Sequence, residues 1–264
     1  MLEIRGLRLA AGDRILVDGL DLEVGPGEAV GLLGPSGSGK SLTAAAVLGL
    51  LPPGVERRSG SIRFAGRELT GLDERSLRPF RGGRIALVFQ EAAAAFNPVL
   101  RVGAQVAEVI EIHRPEIPRR ERREEVLRLL AEVGLDEPER VARSFPHELS
   151  GGMLQRCLIA QALAGEPELL LADEPTTALD VTVQARILDL VSSLRARRGL
   201  SLLWISHDLG VLARICDRLV VIRDGRRVEE GTVEEVLHRP RAEATRELIA
   251  AVPRLRRGGS GGPE

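Results

Sequence analysis

The sequence has 264 residues, of which 44% are hydrophobic and 28% are charged, and its formal net charge is −1. This length suits one large domain or two small ones with a substantial core. The balanced charge argues against binding of nucleic acid through bulk positive charge. Five Phe, one Trp and no Tyr also leave few aromatic side chains for stacking on bases.

Two features indicate a soluble protein of a reducing compartment. No stretch approaches eighteen consecutive apolar residues, and the first ten residues lack the apolar segment of a signal peptide. Cys157 and Cys216 lie far apart without metal-ligand spacing, so we expect both to be reduced and partly buried. A role at a membrane would therefore depend on a partner.

In chain order, the predicted elements form two α/β stretches that flank a helical one. Alternating apolar and polar residues predict antiparallel strands at 2–10 and 14–24, and a further strand pair is expected at 61–64 and 67–69. Apolar runs predict buried strands at 29–33, 85–89, 169–173, 201–205 and 219–222. Helices are predicted at 41–51, 153–164 and 181–197. Strands that alternate with helices indicate a parallel sheet covered on both faces.

The helical stretch follows residue 90. Over 102–133 the pattern is helical, and Val126, Leu129, Leu130 and Val133 have the spacing of one buried face. The charge run at 119–125 is interpreted as a solvated helix face. We expect an α/β core at about 1–90 and 151–240, a helical insertion at about 91–150, a C-terminal helix at about 241–255 and a disordered tail at 256–264.

Residues 34–41 have the spacing G-x-x-x-x-G-K-S of a phosphate-binding loop between a strand and a helix. The glycines let successive N–H groups face one concavity in front of a helix N-terminus. Lys40 would reach the β- and γ-phosphates, and Ser41 would supply a hydroxyl to Mg²⁺. The candidate nucleotide-binding residues here are Gly34, Pro35, Ser36, Gly37, Ser38, Gly39, Lys40, Ser41 and Leu42. A ligand-free turn rich in Gly and Ser is the alternative, which the strand–loop–helix context disfavours.

A carboxylate pair, Asp173 and Glu174, ends the predicted strand at 169–173. Ligands of open α/β sheets lie outside the carboxyl ends of the strands, where both side chains would emerge. Asp173 fits coordination of Mg²⁺, largely through water, and Glu174 fits polarisation of a water aligned with the γ-phosphate. The alternative is an acidic pair that caps the turn before Pro175.

A second glycine-containing segment consists of Ser150, Gly151 and Gly152 and is called the signature segment below. It resembles the LSGGQ-type signature of ATP-binding cassette (ABC) proteins, with Met153 at the usual Gln position. A hydroxyl and N–H groups at a helix start form a second phosphate cradle. A Ser N-cap followed by flexible glycines fits the same residues.

The other motifs of this family follow in its order. Gln90 resembles the glutamine that senses metal and γ-phosphate, 178–180 resembles the D-loop with Asp180 near nucleotide, and His207 resembles the switch histidine. The resemblance spans residues 2 to about 255 and implies a single nucleotide-binding domain at 1–255. Its fold would be an α/β P-loop NTPase (ABC ATPase) with a mostly parallel sheet, an antiparallel β subdomain and an inserted helical subdomain.

Within the family, the sequence resembles the dipeptide, oligopeptide and nickel importer branch. The segments that carry this resemblance are 41–43, 96–98, 145–148, 152–156, 173–185, 207–211, 245–248 and 251–253. Residues 48–55 and the short C-terminus are most similar to the nickel-importer ATPase, and the C-terminal cysteine cluster of many oligopeptide-importer ATPases is absent from the sequence.

Two segments depart from the family pattern. Residues 8–16 contain no aromatic side chain, which relatives use to stack adenine. Loose base selectivity is therefore expected unless Arg14 or Leu16 substitutes. The family's Gln-Asp-Pro is Gln90-Glu91-Ala92 here, in a region that touches the membrane partner in relatives.

The resemblance implies an ATP-binding and ATP-hydrolysing subunit that energises an ABC importer for peptides or nickel. Two cassettes, identical or paralogous, would close around two ATP molecules. Each ATP would lie between one subunit and the signature segment of the other. The first subunit would contribute the phosphate-binding loop, Gln90, Asp173, Glu174 and His207. Further partners would be two integral membrane permease subunits, against which 91–150 would press, and indirectly an extracytoplasmic substrate-binding protein. The expected location is the cytoplasmic face of the inner membrane, and no nucleic acid partner is expected.

Three other functions are alternatives to this interpretation. A soluble cassette protein of DNA repair or translation would need a long coiled coil or two cassettes, for which the chain has no room. A nucleotide sensor without ATPase activity is opposed by the presence of Glu174 and His207. An exporter ATPase is not excluded by the motifs, and only the importer-like segments argue against it.

Overall fold

The described residues, 1–177 and 179–251 of a computed structural model, form a large and a small β-sheet. The strands of the large sheet, in spatial order, are β10 (Arg226–Thr232), β9 (Arg218–Arg223), β3 (Ala29–Leu33), β8 (Ser201–Ser206), β7 (Leu169–Asp173) and β6 (Ile85–Val88). Those of the small sheet are β2 (Arg14–Val24), β1 (Leu2–Ala11), β4 (Val55–Phe64) and β5 (Arg67–Glu68).

The strands from β9 to β6 are parallel neighbours, and only β10 at the edge runs antiparallel among the strands described. Near the carboxyl ends, Leu33 pairs with Ser206, Ile205 pairs with Asp173, and Ala172 pairs with Val88. The segments that leave β3, β8, β7 and β6 therefore emerge at one edge of the large sheet. The small sheet is antiparallel throughout its described pairs.

The helices alternate with these strands or lie in one segment between β6 and β7. Their bounds are α1 (Lys40–Val47), α2 (Glu74–Leu77), α3 (Ala92–Ala95), α4 (Val102–His113), α5 (Arg119–Glu132), α6 (Pro138–Arg143), α7 (Gly151–Leu163), α8 (Val181–Arg198), α9 (Leu209–Ile215), α10 (Val233–His238) and α11 (Glu243–Ala251), with a 3₁₀ turn at Pro146–Glu148. No helix of the described residues is both long and apolar enough to cross a lipid bilayer.

Both faces of the large sheet are buried. Leu170 and Ala172 of β7 pack in one core with apolar residues of α4, α5, α7 and α8. Leu169 and Leu171 point to a second core, which the small sheet and α1 complete. Burial on both faces explains why the strands of the large sheet are continuous apolar runs rather than alternating ones.

The helical segment packs against the first core through its predicted apolar face, because Val126, Leu129, Leu130 and Val133 are at most 3% exposed. Ion pairs extend this contact: the Arg198 guanidinium of α8 donates to Glu132 at the end of α5, with 2.9 Å between Nε and Oε1. The charge run at 119–125 is mostly exposed, as predicted.

The predicted elements are largely confirmed, with differences at their ends. Phe89 lies outside β6 and is 48% exposed, so the buried strand is shorter than predicted. The predicted helix at 41–51 ends at Val47. The strand predicted at 61–64 is longer and begins at Val55, since its first residues also pair with β1. These residues were not predicted as strand because they are mostly polar and exposed and show no apolar alternation. Strand β10 was not predicted, because its exposed face is rich in charge.

Both thiols are free and more fully buried than expected: Cys157 is 0% exposed and Cys216 is 9% exposed. Three sequence expectations lie outside the described residues. These are the tail at 256–264, the last residues 252–255 of the expected C-terminal helix, and Ala178 of the D-loop-like segment.

Candidate active site

The candidate site lies at the edge where the parallel strands end. Strand β3 leads into the phosphate loop (34–41), β8 into His207, β7 into the pair Asp173 and Glu174, and β6 towards Gln90. Four segments that are distant in the chain are thus neighbours in space, in the order β3, β8, β7, β6. This is the edge at which open α/β sheets bind their ligands.

Lys40 lies inside the phosphate loop. Its ammonium donates to the carbonyl oxygens of Gly34 at 2.8 Å and of Pro35 at 2.9 Å, although the residue is only 6% exposed. Burial lowers the pKa of the Lys40 ammonium, and the carboxylates of Glu174 and Asp173 act in the opposite direction. Lys40 is also the only lysine in a sequence with 37 basic residues, the others being Arg. A compact ammonium fits this loop, whereas a planar guanidinium would need more space.

The loop is packed so closely that glycine is required at two of its positions. A Cβ at Gly34 would lie 2.4 Å from the carbonyl oxygen of Ile222, and a Cβ at Gly39 would lie 2.7 Å from Cγ2 of Val17. Gly39 also has a φ of +98° and precedes the first residue of α1. Strand β2 and the end of β9 thereby fix the loop, and with it the N-terminus of an eight-residue helix that favours anions.

A pocket of about 270 Å³ lies beside the loop. Its walls combine one buried ammonium, Lys40, with one carboxylate, Glu174. The lining residues are Ser36, Gly37, Gly39, Lys40, Ser41, Leu42 and Glu174. All of them were predicted from the sequence as site residues.

Ser41 of the pocket and Asp173 place their side-chain oxygen atoms side by side, because the Ser41 hydroxyl donates to Oδ1 of Asp173 at 3.0 Å. Burial raises the pKa of the Asp173 carboxyl, and the neighbouring Glu174 adds to this effect, while Ser41 and Lys40 oppose it. A hydroxyl and a carboxylate are hard ligands that fit Mg²⁺, which is usually held by few protein groups together with phosphate oxygens and water. Within 1–177 and 179–251, no group of three or more His, Cys, Asp or Glu is placed to hold a metal.

Glu174 is held from several sides. Its main-chain N–H donates to the carbonyl of Ile205 at 3.0 Å, its φ is +47°, and its Oε1 lies 3.0 Å from Nδ1 of His207. Burial raises the pKa of the Glu174 carboxyl, but hydrogen bonds from His207 and Thr177 outweigh burial, so the net shift is downward. Near neutral pH the group is therefore a carboxylate that can accept a proton from water. A left-handed backbone at a non-glycine residue is a strain typical of functional sites.

Other predicted site residues do not line this pocket in the described part of the chain. Gln90 is exposed and lies two residues beyond the end of β6. Ser150 is the N-cap of α7, where its hydroxyl accepts from the N–H of Met153 at 3.3 Å, as the alternative interpretation predicted. Asp180 caps α8, accepting from the N–H of Val183 at 2.9 Å. Their roles in nucleotide binding stay predictions.

Gly151 and Gly152 face the beginning of α8. A Cβ on Gly152 would lie 2.8 Å from Cγ1 of Val183, and one on Gly151 would lie 3.8 Å from Cδ2 of Leu179. The signature segment and the D-loop-like segment are therefore neighbours in the fold. The sequence holds no local signal of this contact or of the packing of Val17 and Ile222 against the loop, because each joins residues that are distant in the chain.

Residues 17–177 match the family described as ABC transporter. Over 259 residues the chain is 46% identical to a peptidoglycan transport ATP-binding protein of Agrobacterium fabrum, which covers 96% of this chain and 47% of that protein. Over 241 residues it is 47% identical to a probable peptide ABC transporter ATP-binding protein of Sinorhizobium fredii, covering 91% of this chain and 72% of that protein. The chain thus spans about half the length of the first relative.

The fold is similar to that of a solved structure described as a dimeric post-hydrolysis state of the ATP-binding cassette MJ0796 bound to ADP and Pi. The TM-score is 0.77 at 30% identity, over 88% of this chain and 99% of that chain. The prediction of an α/β P-loop NTPase fold with an antiparallel sheet and an inserted helical segment is confirmed.

Glu174→Gln keeps the size of the side chain and removes its negative charge. We expect ATP turnover to fall by at least about 10²-fold, because the amide cannot accept a proton from water, while ATP binding is retained. Steady-state phosphate release and equilibrium binding of ATP measure the two effects. The matched control is Glu234→Gln, the same change on an exposed residue of α10; undiminished hydrolysis by Glu174→Gln would contradict the assignment.

Lys40→Ala removes the ammonium from the loop. We expect loss of ATP affinity with little change in the melting temperature, because both hydrogen bonds described for the ammonium join it to carbonyls of its own loop and to no other element of the fold. Nucleotide titration and a thermal melt measure the two quantities.

The single lysine permits an independent measurement on the unmodified protein. In the sequence only Lys40 and the N-terminal amine can react with an amine-selective reagent. We expect ATP to protect Lys40 and to leave labelling of the N-terminal amine unchanged, as read by peptide mass spectrometry. Because Lys40 is only 6% exposed, the contradicting outcome is measurable labelling of Lys40 that saturating ATP does not reduce.

Proposed function

Because the chain belongs to the ABC transporter family, we propose that it is the ATP-binding and ATP-hydrolysing subunit that energises an importer. The observation that carries the proposal is the pocket in which the Lys40 ammonium and the Glu174 carboxylate face the same space. One group suits the binding of a polyphosphate, and the other suits the activation of water. In this proposal residues 1–255 act as a single nucleotide-binding domain.

In the proposed mechanism, N–H groups of the phosphate loop and the N-terminus of α1 bind the phosphates, and Lys40 neutralises the β- and γ-phosphates. Ser41 and Asp173 would hold Mg²⁺, with Gln90 as a further sensor of metal and γ-phosphate, and the ion supplies charge neutralisation. Glu174 orients a water and accepts its proton as the oxygen attacks the γ-phosphorus. The bond to the β-phosphate oxygen breaks, leaving ADP and phosphate. His207 keeps the Glu174 carboxylate in place through the 3.0 Å contact.

We further propose that a second cassette, identical or paralogous, completes each site. Two observations support this: the signature segment is absent from the described lining of the pocket, and Val181 beside the D-loop-like segment is 81% exposed. Two copies arranged head to tail would each present Ser150, Gly151, Gly152 and Asp180 to the nucleotide of the other. The γ-phosphate then stabilises the closed pair of cassettes, and loss of the γ-phosphate on hydrolysis lets the pair open.

The proposed substrate class is peptides. The names of the two relatives refer to peptide and peptidoglycan transport, and they lend no specific support to nickel. The proposed complex contains two permease subunits and receives substrate indirectly from an extracytoplasmic binding protein. The cassette would then be a peripheral subunit at the cytoplasmic face of the inner membrane.

The loop between β6 and α4 is the proposed contact with a permease. It exposes three large apolar side chains, because Phe89 is 48%, Val99 is 74% and Leu100 is 43% exposed. Buried Gln105 fixes this loop by accepting from the N–H of Asn97 at 2.8 Å and donating to the carbonyl of Leu100 at 3.0 Å. An apolar surface on a fixed loop suits docking to another protein.

The shared site predicts how activity depends on protein concentration. Association costs several kcal/mol or more, so we expect the purified chain to be mostly monomeric and to bind ATP. Its hydrolysis rate should rise faster than linearly with protein concentration. Activity per mole over a wide dilution range tests this, and a constant specific activity in a species shown to be monomeric would refute the shared site.

Ser150→Arg tests the same site by mutation. We expect hydrolysis to be abolished and ATP binding to be spared, because the change blocks only the surface presented to the second cassette. The change also removes a helix N-cap worth about 1 kcal/mol, so a thermal melt accompanies it. Ser193→Arg, on an exposed position of α8, is the control.

Val99→Asp tests the permease contact. We expect transport and co-purification with the permease subunits to be lost, because a charge would replace the most exposed of the loop's three large apolar side chains. ATP hydrolysis by the isolated chain should be unchanged. Val228→Asp, an exposed valine of β10, is the matched control. Full transport by Val99→Asp would exclude this loop as the docking surface.

A further inference from the structure

Thr177 contacts the oxygen of Glu174 that His207 leaves free. Its hydroxyl donates to Oε2 of Glu174 at 3.0 Å, while His207 lies on Oε1 at the same distance. Each carboxylate oxygen therefore has one side-chain partner, and the two partners come from different segments of the chain. Two contacts on opposite oxygens define the plane of the carboxylate, whereas one contact would leave it free to rotate.

The backbone explains why this second contact matters. Glu174 follows the last residue of β7 in a left-handed conformation, so the regular geometry of a strand does not direct its side chain. A turn returns the chain towards Glu174, and the N–H of Thr177 donates to the carbonyl of Glu174 at 3.3 Å. Thr177 thus contacts both the main chain and the side chain of the same residue.

We propose that Thr177 is a positioning residue for Glu174 and fixes the carboxylate plane in which the attacking water is oriented. This inference rests on the proposed function, because it assigns Glu174 the role of activating water. The Thr177 hydroxyl does not line the described pocket, so its effect on the reaction passes through Glu174.

The first test compares Thr177→Val with Thr177→Ser. Valine keeps the branched shape and removes the hydroxyl, whereas serine keeps the hydroxyl. We expect Thr177→Val to lower kcat about tenfold, in line with the sensitivity of rates to misplaced groups, with KM and the equilibrium affinity for ATP unchanged. Thr177→Ser should retain most of the kcat of the unmodified chain. Thr177 is exposed, so both variants should fold, and Thr177→Ala provides a second hydroxyl-free variant.

A matched control is available in the small-sheet half of the fold. The hydroxyl of Thr70 also donates to a carboxylate, that of Glu68, so Thr70→Val removes the same kind of contact away from the pocket. We expect its kcat to equal that of the unmodified chain. A fall in kcat for Thr70→Val as large as for Thr177→Val would show that loss of such a contact acts through general destabilisation and would overturn the proposal.

A double-mutant cycle tests the route through Glu174. In a Glu174→Gln background, Thr177→Val should cause no further loss of the residual rate. Any of three outcomes would overturn the inference: an unchanged kcat in Thr177→Val, a kcat in Thr177→Ser as low as in Thr177→Val, or an additive loss in the double variant. These outcomes differ from failure of the proposed function, in which the unmodified chain would hydrolyse no ATP or Glu174→Gln would remain fully active.

Discussion

The alignment of four parallel strands is the constraint on which the rest of the structure depends. Main-chain hydrogen bonds set Leu33 beside Ser206 and Asp173 beside Ile205, so the phosphate loop, His207 and the carboxylate pair emerge at one level. The alignment continues beyond β7, because the N–H of Glu174 still donates to the carbonyl of Ile205. The ladder of the sheet therefore sets where each segment of the site leaves its strand, and local contacts such as those of Glu174 with Thr177 and His207 then direct the side chains.

Opposite charges meet at that edge of the large sheet. Lys40 is buried against two carbonyls, and burial alone would favour loss of its proton, yet the carboxylates of Asp173 and Glu174 oppose that change. Asp173 is itself shifted towards the neutral form by burial, whereas Glu174 is kept ionised by its hydrogen bonds. The surroundings of these two adjacent carboxyl groups thus shift their pKa values in opposite directions.

The surroundings of the site divide into a rigid and an exposed part. Helix α5 is held against the core by its buried apolar face and by the ion pair of Arg198 with Glu132. In contrast, Phe89 directly after β6, Val99 shortly before α4 and Val181 at the start of α8 expose apolar surface. This combination fits a protein whose pocket is preformed and whose remaining groups act through contacts with other subunits, as the proposed function requires.

The sequence by itself determined the elements whose pattern is local. The phosphate loop, the apolar strands, the carboxylate pair and the buried face of α5 were predicted because spacing and alternation record them directly. The contacts of Val17 and Ile222 with the phosphate loop leave no such local pattern, since they join segments that the fold brings together. Only the tertiary structure placed β8 between β3 and β7, and so brought His207 to Glu174, because the order of strands in a sheet is set by pairing between distant segments and not by their order in the chain.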